Sequence, residues 1–264
     1  LDSLDILLKR GLANGVEIHR ITGQEALELE PRVNTQFDQA LYIPITSVVN
    51  PTEVAERVRT DVVELGGVIS YGTRATAIDA RRGTVRTRMG TFEAGTVINA
   101  AGLFADRVAE QSGLKTHYSF QPFKGKYWKH KDPDFSMQRL VYPVPDLNLP
   151  FLGVHSAHNQ KGVVYFGPSS TPVIGRENYQ CLDGVSLRDG LSLTASLVGK
   201  FLKNTNGLRT LSIREMKLMR LTGVCDELSK IITGVEPRSL ERSLVKVGLR
   251  SQIFDAKTQH LENC

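Results

Sequence analysis

The stretch VINAAGLFADRVA, Val97–Ala109, restricts the possible folds more than any other part of this chain. Two β-branched residues, Val97 and Ile98, lead into Asn-Ala-Ala-Gly, and Leu103, Val108 and Ala109 then recur at helical spacing. The segment therefore predicts strand, tight turn and helix. Gly102 has no Cβ and Ala100 and Ala101 carry only methyl groups, so another group can approach the turn's backbone closely. A helix N-terminus behind the turn offers free N–H groups and a dipole to a phosphate. Taken alone, the same residues also suit a tightly packed strand-to-helix junction.

With 264 residues and 41% hydrophobic content, the chain can bury one large core or two moderate ones. No apolar run approaches the ~20 residues of a membrane span. The first residues, Leu1-Asp2-Ser3-Leu4-Asp5, are acidic and amphipathic rather than signal-like, so a cytoplasmic location is expected, with a peripheral contact to the inner membrane as the variant. The net charge of +5 is spread thinly, apart from Lys124, Lys126, Lys129 and Lys131 with Tyr127 and Trp128 between them. Such interleaving can bind single-stranded nucleic acid, but it is also the pattern of an amphipathic strand. The latter is expected, with no nucleic-acid partner. A mild positive excess suits an anionic small molecule. Cys181, Cys225 and Cys264 have no metal-ligand spacing, which predicts a reduced compartment and no metal. Walker, G-x-S-x-G and G-x-G-x-x-G motifs are absent from the sequence.

Taken in order, residues 1–14 carry leucines on one helical face, 16–21 alternate as a strand, and Thr22-Gly23-Gln24-Glu25 opens a short helix. Residues 40–44 read as a strand, and Asn50-Pro51 starts a helix to about Leu65. Strands are expected at 68–71, 74–78, 84–87, 91–93 and 96–99. From 117 the chain becomes aromatic-rich β (117–120, 123–128, 140–145, 152–155, 163–167), followed by helices at 187–203 and 211–221. A strand over 243–254 comes next, with a returning arm that begins at His260. The fold class is α/β (α+β): an incomplete Rossmann-like nucleotide domain, 40–116 and 248–264, beside a mostly antiparallel β substrate domain with helices, 1–39 and 117–247.

These segments carry a resemblance. Ala40–Pro44, Val97–Ala109, Pro122–Tyr127, VYPVPDLNLPFLGVH (Val141–His155), Gly167-Pro168, Arg176-Glu177 and Gly248-Leu249-Arg250-Ser251-Gln252 are similar, in order, to the L-2-hydroxyglutarate oxidase/dehydrogenase family of D-amino-acid-oxidase-like flavoenzymes. The family's N-terminal dinucleotide fingerprint and C-terminal flavin-closing segment have no counterpart in these residues. Lys124 and Lys126 stand where the family has Arg and Glu, and Ala157-His158-Asn159 replaces its Thr-Pro-Arg.

The resemblance implies FAD as cofactor and a small dicarboxylic 2-hydroxy acid as substrate, L-2-hydroxyglutarate going to 2-oxoglutarate, with oxygen or a quinone as electron acceptor. Related flavoenzymes act on an amino acid, a secondary amine or glycerol-3-phosphate, and an inactive fragment without a complete FAD site is the remaining alternative. Such chemistry needs a cation for the substrate carboxylate and a base for the hydroxyl proton. Arg250 is the candidate cation, His155 the candidate base, and Lys124 the candidate partner of a distal carboxylate. Ala101 and Gly102 would approach the ADP half of FAD, and Ala75 would meet adenine through its backbone.

Overall fold

The structure, a computed structural model, describes residues 3–34, 36–114, 116–145, 153–180, 183–202, 204, 208–255, 257–258 and 260–261. The chain divides into two compact units: Leu1–Asn50, Lys124–Thr171 and Gly207–Gly248 form the first, and Pro51–Phe123, Pro172–Asn206 and Leu249–Cys264 the second. The expected domains, 1–39 with 117–247 and 40–116 with 248–264, are cut differently. Residues 40–50 stay with the first unit because β2 (Gln39–Tyr42) pairs antiparallel with β1 (His19–Thr22), His19 facing Tyr42. Residues 172–206 fall to the second, where Arg176 pairs with Asp106 and Lys200 lies over the Phe254 ring.

In the first unit, α1 (Ser3–Ala13) precedes β1, and α2 (Gly23–Leu29) follows it directly. The capping box expected at Thr22 is present: Glu25 N–H donates to Thr22 Oγ1 at 3.2 Å, and Thr22 N–H donates to the Glu25 carboxylate at 2.7 Å. Replacing Thr22 with Ala is expected to cost about 1 kcal/mol. The check is a lowered denaturation midpoint followed by the fluorescence of Trp128, the single tryptophan, in the core of the same unit.

That core gathers Trp128, Phe135, Met137, Val154, Val164, Phe166, Leu218, Val224, Leu228, Ile232 and Leu240. The helices α6 (Leu208–Leu218) and α7 (Leu221–Leu228) supply its lower-numbered leucines and Val224; α6 answers to the helix expected over 211–221, and α7 is an element the sequence pattern does not predict. Cys225 is a free thiol buried there, and its pKa is pushed up to about 11 by burial. Cys181 and Cys264 lie outside the described residues.

The second unit holds α3 (Pro51–Glu64), the antiparallel meander β3 (Ala75–Asp79), β4 (Thr84–Thr87) and β5 (Gly90–Glu93), then α4 (Ala105–Gln111) and α5 (Leu187–Leu202). Strands expected at 68–71 and 96–99 are not formed. A strand exists only when its N–H and C=O groups are paired, and Val68 and Ile98 are 90% and 84% exposed with no sheet partner among the described residues.

A five-stranded sheet has the order β10-β9-β6-β8-β7, built from β6 (Tyr118–His130), β7 (His155–His158), β8 (Val164–Pro172), β9 (Leu240–Asp255) and β10 (His260–Leu261). Its three longest strands, β6, β8 and β9, each contain a unit boundary. The strand expected at 140–145 is absent, because Pro143 and Pro145 have no N–H to donate. Val141 instead bonds Ser156, its N–H donating to Oγ at 2.8 Å and its carbonyl accepting from Ser156 N–H at 3.0 Å. Residues 146–152, the centre of the most family-like segment, lie outside the described residues. The returning arm at His260 does pair with β9, Leu261 opposite Phe254.

Candidate functional site

His155 opens β7 and is 5% exposed. Its Nδ1 stands 2.9 Å from the carbonyl oxygen of Gly153. A carbonyl can only accept, so Nδ1 carries the hydrogen and Nε2 keeps its lone pair. Burial lowers the imidazole pKa from its ordinary 6.5, the Gly153 carbonyl raises it by a smaller amount, and the positive charge of Lys246 lowers it again. The ring is held from two sides: Tyr142 stacks on it at 4.4 Å between centroids, and Tyr127 meets it edge-on at 6.3 Å.

The backbone makes this cluster possible at Gly167, which faces His155 in the β7–β8 register. Its φ is +150°, and a Cβ there would stand 2.7 Å from the Lys126 carbonyl oxygen and 2.9 Å from the Tyr127 ring. Only glycine lets β8 pass between the histidine and the tyrosine. Lys246 completes the group, its ammonium 4.6 Å from the centroids of both Tyr127 and Tyr165, with its pKa lowered by burial. The strand pattern alone did not single out Lys246: it lies on β9, far from His155 in sequence, and only the sheet order relates the two.

Beside this cluster, still within the first unit, a cavity of about 550 Å³ is lined by the β2 end and the loop after it (Leu41–Pro44, Thr46–Val48), by Gln138–Leu140, by Tyr142 and by His158. Tyr142 therefore belongs both to the cavity wall and to the stack on His155. Burial raises its phenol pKa.

The other expected residues fall elsewhere. Lys124 is 6% exposed within β6, and neither it nor His155 lines the cavity; His155 meets the cavity wall only through Tyr142. Lys126 and Lys129 of the same lysine run are also in β6, Lys129 paired to Glu241 at 3.2 Å, and Lys131 follows the strand's end. Arg250 is exposed on the part of β9 that belongs to the second unit. Ala75 begins β3 half-buried, and Ala101 and Gly102 are exposed. Among the described residues, no group of three or more His, Cys, Asp or Glu is placed to hold a metal, and no helix is long and apolar enough to cross a membrane.

The turn of the second unit is a 3₁₀ segment, Gly102–Phe104, leading into α4. Asn99 braces it, donating to the Ala105 carbonyl at 2.8 Å and accepting from Ala101 N–H at 3.3 Å. The expected phosphate seat at the helix N-terminus is modified by Asp106, whose carboxylate already accepts the Arg107 N–H at 2.8 Å. Arg176 grips that carboxylate with both fork nitrogens, at 2.6 and 2.8 Å, and donates to the Leu103 carbonyl as well.

A family model described as FAD dependent oxidoreductase matches residues 1–206. The chain belongs to this family of FAD-dependent oxidoreductases. The L-2-hydroxyglutarate dehydrogenase of Indibacter alkaliphilus is 35% identical over 182 residues, covering 67% of this chain and 45% of that protein. The mitochondrial L-2-hydroxyglutarate dehydrogenase of Mus musculus is 32% identical over 196 residues, covering 68% and 42%. The chain thus spans about half the length of the curated relatives it matches. Among solved structures, the reduced L-α-glycerophosphate oxidase of Mycoplasma pneumoniae with FAD bound superposes with a TM-score of 0.66 at 18% identity, over 98% of this chain and 59% of that one, which shows a shared fold.

Gly102 has φ +53°, and among the described residues nothing beyond its own chain neighbours lies within 4 Å of where a Cβ would stand. That open volume, bordered by the exposed Ala101, fits a group that must approach the backbone closely. Asp106 serves the helix end, so the exposed backbone at Ala101 and Gly102, rather than the helix N-terminus, is the open part of this turn.

Proposed function

We propose that this protein uses FAD to oxidise L-2-hydroxyglutarate to 2-oxoglutarate, with His155 as the base that takes the hydroxyl proton. The observation that carries the assignment is the fixed tautomer of His155: Nδ1–H is committed to the Gly153 carbonyl, so Nε2 is the proton acceptor. Its burial favours the neutral form that a base needs at neutral pH. The relatives named L-2-hydroxyglutarate dehydrogenase support the substrate. Arg250, the cation expected for the carboxylate beside the reacting carbon, lies on the part of β9 that belongs to the second unit. Ala75, Ala101 and Gly102 hold the adenine nucleotide through backbone approach. FAD, when bound, would supply the two-electron acceptor, with oxygen or a quinone as the final acceptor.

The test uses protein expressed from its complete reading frame. Purified and FAD-loaded, it is expected to bleach on anaerobic addition of L-2-hydroxyglutarate and not with glycine, proline or glycerol-3-phosphate. Bleaching by one of those compounds instead, or by none, would remove the substrate assignment. Peroxide release in air identifies oxygen as the acceptor, and its absence together with reduction of an added quinone identifies the other.

A further inference from the structure

We propose that Arg139 binds the second carboxylate of a small dicarboxylate held in the cavity of the first unit. This rests on the L-2-hydroxyglutarate reading and assigns the residue that selects a dicarboxylic acid within it. The volume of about 550 Å³ lies in the range of small-ligand sites. Of the residues lining it, Arg139 alone is always charged, and no Asp or Glu is among them. Thr46, Ser47, Gln138, the two tyrosines and His158 add hydrogen-bonding groups, so the chemistry of the wall favours an anion with polar oxygens.

Arg139 is also held at its base and open at its tip. Glu30, 3% exposed at the end of α2, accepts the N–H of Gln138 at 2.6 Å and of Arg139 at 2.9 Å on one oxygen, and the N–H of Arg32 at 3.0 Å on the other. The loop that carries the arginine is thereby fixed by a buried carboxylate from another element. The side chain itself is exposed, and among the described residues its guanidinium makes one hydrogen bond, from Nη1 to the Gln138 carbonyl at 3.0 Å. The rest of the five-donor fork is available to a carboxylate. Tyr142 connects this wall to the candidate base, since it lines the cavity and stacks on His155. Lys124, the residue expected in this role, does not line the cavity.

The experiment measures dissociation constants calorimetrically for 2-oxoglutarate and for 2-oxopentanoate, its analogue without the distal carboxylate. It uses FAD-loaded protein from the complete reading frame, as wild type, Arg139→Gln and Arg139→Lys. Wild type is expected to prefer 2-oxoglutarate. Arg139→Gln is expected to weaken it by roughly 10- to 100-fold, the loss of a charge-assisted hydrogen-bonded pair, while leaving 2-oxopentanoate within a few-fold. Arg139→Lys should retain part of the preference. If Arg139→Gln melts abnormally, the Lys variant decides: a preference equal to wild type's overturns the proposal and a reduced one supports it. A wild type without preference, or a Gln variant with the preference intact, also overturns it. The two readings fail separately. Turnover of L-2-hydroxyglutarate with an unchanged preference in Arg139→Gln leaves the function standing and removes Arg139. A preference erased by Arg139→Gln in a protein that does not oxidise this acid does the reverse.

Discussion

Replacing His155 with Asn is expected to lower kcat/KM for L-2-hydroxyglutarate by about two to four orders of magnitude, the range for loss of a positioned general base. Asn is the informative choice because its amide can still donate to the Gly153 carbonyl and fill the space beneath Tyr142, but it has no basic nitrogen. The folded protein should therefore survive while proton abstraction does not. The pH profile gives a second, independent reading. Burial and the Lys246 charge hold the His155 pKa below 6.5, so the acid limb of kcat/KM should fall below 6.5 in the wild type and disappear in the variant. The same shift links to stability with a definite sign: below pH 6.5 the unfolded chain protonates this histidine and the folded one resists, so stability falls as pH drops from 6.5 toward the lowered value. His155→Asn should lose that component of the acid sensitivity. A variant retaining activity within a few-fold, or retaining the acid limb, would exclude His155 as the base. Removing the charge with Lys246→Met should shift the limb upward, toward 6.5, because one of the two causes holding the pKa down is gone.

How far such a site could be read in advance depended on the range of the interactions. Local chemistry was legible: the Thr22 capping box, the helix after Asn50-Pro51, the β3–β5 meander and the pairing arm at His260 all follow from turn residues and short-range periodicity. His155 stood out as a histidine at the end of an apolar run. The contacts around it did not, because Lys246 reaches the group only through the sheet order, and Gly167 reveals its purpose only when β6 lies beside it. The strands expected at Val68 and Ile98 failed for the complementary reason. A β-branched run specifies extended backbone readily, but a strand needs a neighbour, and no periodicity within the run can supply one. Arg139 and Lys124 make the point with one residue type of charge: both are cations close in sequence to family-like motifs, yet one lines a cavity and the other is buried in β6.

Replacing Arg176 with Ala is expected to destabilise the second unit by about 3–5 kcal/mol, the range for leaving one member of a buried ion pair without its partner. The side chains of Arg176 and Asp106 are each 9% exposed, so water cannot take over the contacts. The loss reaches beyond charge. Arg176 also holds the Leu103 carbonyl inside the 3₁₀ turn and lies over the Phe104 ring at 5.9 Å, so its removal frees the backbone next to Gly102. Hydrogen exchange should therefore accelerate most at amides 103–111, ahead of the amides of β4 and β5, and the midpoint of thermal unfolding should fall. Asp106→Asn is expected to cost less, because an amide oxygen still accepts from the guanidinium and from the Arg107 N–H. A hydrophobic pair, Arg176→Met with Asp106→Leu, separates charge from position: it restores much of the stability by removing both buried charges, but it cannot donate to the Leu103 carbonyl. If that double variant is stable and still exchanges quickly across 103–111, with weakened FAD retention on dialysis, the arginine acts by fixing the turn. If exchange there returns to wild-type rates, the ion pair matters only as packing, and the position of the turn is set by Asn99 and the chain that leads into it.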